Sequence, residues 1–305
     1  MMTNLPQTAV AKPPQSAYPV GTCVTLSILW EVTAPKPGNV TRSADFEDTT
    51  YVDFITGAAI VGPILGQTRS NGIGATVLSA VRATQQAVGT NTNLGTLLLL
   101  APLAAIPLEE SLADGVGTVL SRLDKHDTHL VYQAIGEAHA GGLGQVEEAD
   151  VHRTPPFAVS LVDAMRLASE RDLIARQYVN GFREVLQCAA PWIEQEIGSG
   201  RGLAQAIVRT QLRLLAEYPD SLIARKCGNE VARLASDQAA EVLACPTEPV
   251  EEYQYRLADF DFWLRSDGHR RNPGTTSDLI AAGLFVLLRE GRLSCPHVFY
   301  EQNHD

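Results

Sequence analysis

From Cys23 onward, apolar residues recur with the 3.6-residue period of an α-helix. Leu203, Ile207, Val208, Leu212 and Leu215 form one stripe, and Val231, Leu234, Ala235 and Val242 form another. Two segments, Val52 to Leu65 and Ser277 to Arg289, are apolar nearly all round and read as central helices. No stretch sustains the period-2 alternation of a half-buried strand. Gly- and Pro-rich punctuation separates the periodic segments at Pro35-Lys36-Pro37-Gly38, Asn71-Gly72, Gly89 to Asn93, Gly141-Gly142, Pro155-Pro156, Gly198 to Gly202 and Asn272-Pro273-Gly274. The pattern predicts an all-α bundle of roughly ten or more helices. No linker divides the chain, so one helical domain is expected over 21–305, after a loose Pro- and Gln-rich tail at 1–20.

Composition narrows this picture. Aromatic residues make up only 6% of the 305 residues, which favours packed helices over sheets. The formal net charge of −11 argues against a nucleic-acid-binding protein, which needs cations opposite phosphates. Five scattered cysteines without a CxxC pair read as free thiols. The opening residues lack the apolar stretch of a signal peptide. The longest apolar run, Leu97 to Ile106, is too short to span a bilayer and contains Pro102. Together these features predict a cytoplasmic protein with no membrane partner.

Candidate chemistry concentrates in the turns. In Glu31-Val32-Thr33-Ala34-Pro35-Lys36-Pro37-Gly38-Asn39-Val40, two prolines restrain Lys36 and Gly38 leaves room for a ligand. That suits a phosphate contact, although a stiff helix exit with a solvated lysine would look the same. Gly89-Thr90-Asn91-Thr92-Asn93-Leu94-Gly95 precedes an apolar helix and can cradle an anion on side chains and helix N–H groups, or simply cap the helix. Arg270-Arg271-Asn272-Pro273-Gly274-Thr275-Thr276-Ser277-Asp278 offers cations, hydroxyls and a carboxylate that could bind Mg²⁺ or cap a helix. In Asp220 to Gly228, Arg225 and Lys226 follow an acid at a helix end. His126 and His129, near Asp124 and Asp127, have metal-ligand spacing without a completing residue. Gly141-Gly142-Leu143-Gly144 follows no strand and makes a poor dinucleotide loop.

In order and spacing these blocks resemble the triphosphoribosyl-dephospho-CoA synthase family. The resemblance rests on Glu31 with Pro35-Lys36-Pro37-Gly38, Asn91-Thr92 with Gly95, Asp220 with Arg225-Lys226, and Pro273-Gly274 with Asp278-Leu279, across roughly residues 23–292. It implies an all-helical transferase that moves the triphosphoribosyl group of ATP to 3′-dephospho-CoA and releases adenine. It also implies a triphosphate site with Mg²⁺. Lys36, Gly38, Arg42, Asn91, Thr92, Asn93, Arg225, Lys226, Arg271 and Gly274 are then the candidates for holding nucleotide. Glu31, Asp45 and Asp220 are the candidates for proton transfer, with Asp278 and Asp220 for metal.

The sequence departs from the lyase-associated pattern. Asn93-Leu94 stands where that pattern has His-Lys, and Arg42-Ser43-Ala44-Asp45-Phe46 replaces a Gly-Ala-His-x-Asp element. The stretch from Gly141 through Asp150 to Arg176-Gln177-Tyr178 resembles the branch from methanogens and C1-metabolising bacteria. An acceptor in pterin-type C1 cofactor synthesis is therefore the alternative substrate. A helical nucleotide-binding protein without catalysis is the alternative class. The two classes differ in whether Lys36, Asn91, Asp220, Lys226 and Asp278 converge on one pocket.

Overall fold

The structure is a computed structural model, and it describes residues 16–90, 92–140, 160–246, 250–295 and 298–300. Asn91, the Gly141 run, Asp150 and Pro155-Pro156 lie outside the described residues, as does most of the tail. Among the described residues there are fifteen α-helices and no β-strand; Thr41 and Ala44 make an isolated bridge. None of these helices is long and apolar enough to cross a membrane.

The centre is α15 (Gly274–Arg289), buried almost without interruption from Leu279 to Arg289, as its apolar sequence predicts. Around it pack α1 (Val20–Thr33), α5 (Leu94–Ala104), α10 (Ala190–Gly198), α11 (Leu203–Glu217) and a π-helical turn at Val185–Ala189. The other apolar segment is less central. In α2 (Tyr51–Leu65) Gly57, Ala58, Val61, Gly62 and Leu65 are buried against α1, whereas Val52 is 61% exposed. Thr50 and Asp53 start α2 with a reciprocal capping box, which satisfies first-turn N–H groups that the helix itself cannot pair.

The α11 stripe is fully buried. In α13 (Asn229–Ala244), Ala235 and Val242 are buried but Leu234 is exposed, since it falls beside the apolar face. These two helices enclose a smaller apolar cluster with α12 (Ser221–Cys227) and α14 (Val250–Arg265). The larger cluster extends over α4 (Ile73–Val88), α7 (Lys125–Ala140) and α9 (Leu173–Asn180). All five cysteines are free.

Candidate active site

Helix ends meet in one place. The last turn of α1, the N-termini of α5, α9 and α15, and the C-terminal turn of α12 border a cavity of about 350 Å³. Neither N-cap residue, Asn93 for α5 or Pro273 for α15, caps its helix with its own side chain, although Asp220 accepts from Thr276 N–H in the first turn of α15. The positive dipole ends of such termini, and whichever first-turn N–H groups are left over, favour an anion. Thr92 Oγ1 and Ser277 Oγ, both in residues that line the cavity, are buried with no hydrogen-bond partner among the described residues.

Two carboxylates lie at the floor. Asp278, in the first turns of α15, sits against the backbone of Gly95. A Cβ at Gly95 would fall 2.0 Å from Asp278 Oδ2, so only glycine admits the carboxylate there. Thr96 donates its hydroxyl to Asp278 Oδ1 at 2.5 Å. Asp278 retains some exposure to the cavity, yet burial, with help from Glu31 and Asp220, pushes its carboxyl up to about 8. Glu31 is the second carboxylate, only 7% exposed.

The cations stand on one flank. Arg225 lies 4.0 Å from Asp172, and its side chain is 46% exposed. Lys226 lines the cavity with no hydrogen-bond partner for its ammonium among the described residues. Burial, then the neighbouring Arg225, holds its pKa below the ordinary lysine value. Phe46 and His269 stack nearby, with ring centres 4.4 Å apart, and His269 takes a left-handed backbone conformation. Leu98, Tyr132, Ile135, Ala164, Met165 and Ile174 supply an apolar part of the lining.

The structure brings Glu31, Thr92, Asn93, Arg225, Lys226, Gly274 and Asp278 to this cavity. Other expectations are corrected. Lys36 does not present its ammonium to a ligand. Its side chain is 0% exposed, paired with Glu31 Oε1 at 2.9 Å and donating to the Glu31 carbonyl at 2.6 Å. The turn that carries it is locked from several sides. Gln211 donates to the Pro37 carbonyl and to Asn39 Oδ1, Asn39 donates to Asn272, and Arg265 donates to the Asn39 carbonyl. Gly38 faces packing rather than a ligand. Its N–H donates to Asp261, its φ is +75°, and a Cβ there would meet Leu264 at 2.8 Å.

Asp220 neither lines the cavity nor offers a free oxygen to a metal. Its Oδ1 accepts from the N–H groups of Leu222 and Ile223, and its Oδ2 from the N–H and hydroxyl of Thr276. Burial pushes its carboxyl up, against the pull of these donors. Asp45 is exposed outside the lining and accepts from Tyr51 N–H at 2.6 Å. Arg42 is exposed and outside the lining. Arg271 also lies outside it; its guanidinium covers the Trp263 ring and donates to the Trp263 carbonyl. Asp127 is engaged by Gly74 N–H, and among the described residues no His, Cys, Asp or Glu cluster of three could hold a metal.

Phe46, Thr96, Asp172 and His269 line the cavity although the sequence reasoning gave them no role, as does Ser277, which counted only among the hydroxyls beside Asp278. Thr96 and Ser277 directly adjoin Gly95 and Asp278, so adjacency was the available signal. Nothing local marks the Phe46–His269 stack, which joins positions more than 200 residues apart.

The sequence matches the family model for ATP:dephospho-CoA triphosphoribosyl transferase over residues 17–296. The chain belongs to that family. Its fold is similar to a crystal structure from Archaeoglobus fulgidus described as a candidate triphosphoribosyl-dephospho-CoA synthase. The two share 28% identity with a TM-score of 0.61, over 78% of this chain and 99% of that one. No curated protein is similar enough to count as a match. As an ATP:dephospho-CoA triphosphoribosyl transferase, the protein is a pentosyltransferase. It uses ATP to place a triphosphoribosyl group on dephospho-CoA, with adenine as the leaving group.

Proposed function

We propose that the cavity between α1, α5, α9, α12 and α15 is the active site of this transfer, and that its flanks divide the donor between them. In ATP, the triphosphate and the adenine leave the ribose at opposite ends. The lining supplies cations, carboxylates and a group of apolar side chains, one kind of surface for each part of ATP. Arg225, Lys226 and the N-terminal turns of α5 and α15 hold the triphosphate, the ribose lies over the floor, and the adenine rests on the apolar side chains. The supporting observation is that Lys226 and Asp278 border the same cavity although they are distant in sequence.

The reaction joins an acceptor ribose oxygen to C1 of the donor ribose and breaks the bond from C1 to adenine. The proton lost by the hydroxyl equals the proton adenine gains. Glu31 takes the hydroxyl proton, with Lys36 behind it as counter-charge. The carboxylates of the floor also face the positive charge that develops on the sugar as the bond to adenine stretches.

Mg²⁺ fits the donor set. One or two carboxylates beside hydroxyl oxygens suit this ion, which completes its shell with substrate phosphates and water. Asp278, with Ser277 next to it, would hold the ion, which supplies charge neutralisation for the triphosphate.

Steady-state kinetics of adenine release test the assignment. Arg225→Ala and Lys226→Ala should each raise KM for ATP by about tenfold, as expected for a lost charge-assisted phosphate contact, while the melting temperature stays near wild type. Unchanged KM values in both variants would refute the cationic flank as the triphosphate site.

A further inference from the structure

Arg225 and Lys226 belong to α12, a helix of only seven residues, whereas Asp278 belongs to the central α15. An element so short has little stability of its own. Something must set the cationic flank at a fixed place relative to the carboxylate floor. A cluster of polar groups behind the cavity does this. Asp220 is 0% exposed and divides its two oxygens between the two helices. Oδ1 accepts from Leu222 N–H at 2.8 Å and Ile223 N–H at 3.1 Å, which caps α12. Oδ2 accepts from Thr276 N–H and from Thr276 Oγ1, each at 2.7 Å, in the first turn of α15. The neighbouring Ser221 donates to Thr275 Oγ1 at 3.0 Å and accepts from Leu173 N–H at 3.3 Å, which adds α9 to the joint. Asp172, whose own oxygen caps α9, faces Arg225 from there.

We infer that Asp220 is a positioning residue of the transfer: through one carboxylate it sets the separation between the triphosphate-binding turn of α12 and the Asp278 turn of α15. The inference rests on the cavity being the active site. Four donors converge on Asp220, and a carboxylate accepts at both oxygens. An amide does not, because its NH₂ would face either the N–H groups of α12 or the two donors of Thr276. The joint would open on one side while the packing around it stayed the same size.

A double-mutant cycle tests this, with adenine release from Mg-ATP and dephospho-CoA as the readout. Asp220→Asn should raise KM for ATP by about tenfold in the wild-type background. In the Arg225→Ala/Lys226→Ala background, which lacks both cations, it should add less than about twofold, because its effect on ATP passes through the α12 cations. Equal fold-changes in both backgrounds, or a lowered melting temperature with unchanged KM for ATP, would overturn the inference. Thr276→Val removes one of the two donors to Oδ2 at nearly constant volume, and it serves in the same cycle if Asp220→Asn does not fold. The two readings fail separately. If Arg225→Ala and Lys226→Ala both leave KM for ATP unchanged, the site assignment falls and the inference falls with it. If the loss of Arg225 and Lys226 raises KM but Asp220→Asn is additive with the double replacement, only the inference falls.

Discussion

Asp220 and Asp278 flank the same helix terminus, and burial pushes both carboxyls upward, yet their surroundings are opposite. Asp220 has four donors on its two oxygens and no access to the cavity. Asp278 has the Thr96 residue as its hydrogen-bond partner and opens onto the cavity. The same contrast separates the lysines. Lys36 is sealed against Glu31, and Lys226 faces the cavity. A buried charge that is fully paired holds structure together. One left partly unpaired at a cavity wall is available for a substrate.

Substitutions can break this contrast. The largest expected effect is at Asp278. Asp278→Asn should lower kcat by roughly a hundredfold or more, the scale of a lost electrostatic contact in the transition state, with no loss of melting temperature. A collapse of stability with kcat per folded molecule intact would make Asp278 another Asp220. Lys36→Met should do the reverse. It strands Glu31 without its partner and should destabilise the fold by about 3 kcal/mol, the scale of a broken buried pair, as read by urea denaturation. Surviving protein should keep its KM for ATP. Gly95→Ala should displace the Asp278 carboxylate and lower kcat by about tenfold, the scale expected when a reacting group is misplaced, with a modest loss in melting temperature.

Acid–base titration adds a smaller, sharper comparison. Asp278 titrates at about 8 in the folded protein without nucleotide and at about 4 in an unfolded chain. Between those values the folded state holds a proton that the unfolded state has released. Stability from this group is therefore full below about pH 4 and is lost as pH rises toward 8. Asp220 contributes with the same sign. Asp278→Asn should flatten the decline in melting temperature across this window without abolishing it. An unaltered slope would mean that Asp278 does not hold the proton. Arg42→Ala, at an exposed position outside the cavity, should be silent in both kinetics and melting.

The helical class was legible because period-3.6 patterning carries it directly, and the burial of α15 followed from its all-round apolar sequence. The family was legible from four ordered turns. What each turn does was not. Lys36 between two prolines looks like an exposed ligand, and only the tertiary arrangement shows it folded back onto Glu31. Asp220 looks like a free acid until Thr276, 56 residues later, is seen to donate to it twice. Arg271 was one residue from the right turn but spends its guanidinium on Trp263. Long-range pairing decides whether a polar residue is spent or available, and local sequence does not record it.

The most direct test of the site is a crystal structure with Mg²⁺ and ATP in the absence of acceptor. The triphosphate should lie against Arg225 and Lys226, with the metal between phosphate oxygens and Asp278, the adenine on the Leu98–Ile135 flank, and Lys36 still paired with Glu31. A nucleotide bound elsewhere, or one that draws Lys36 onto its phosphates while Lys226 stays free, would contradict the account.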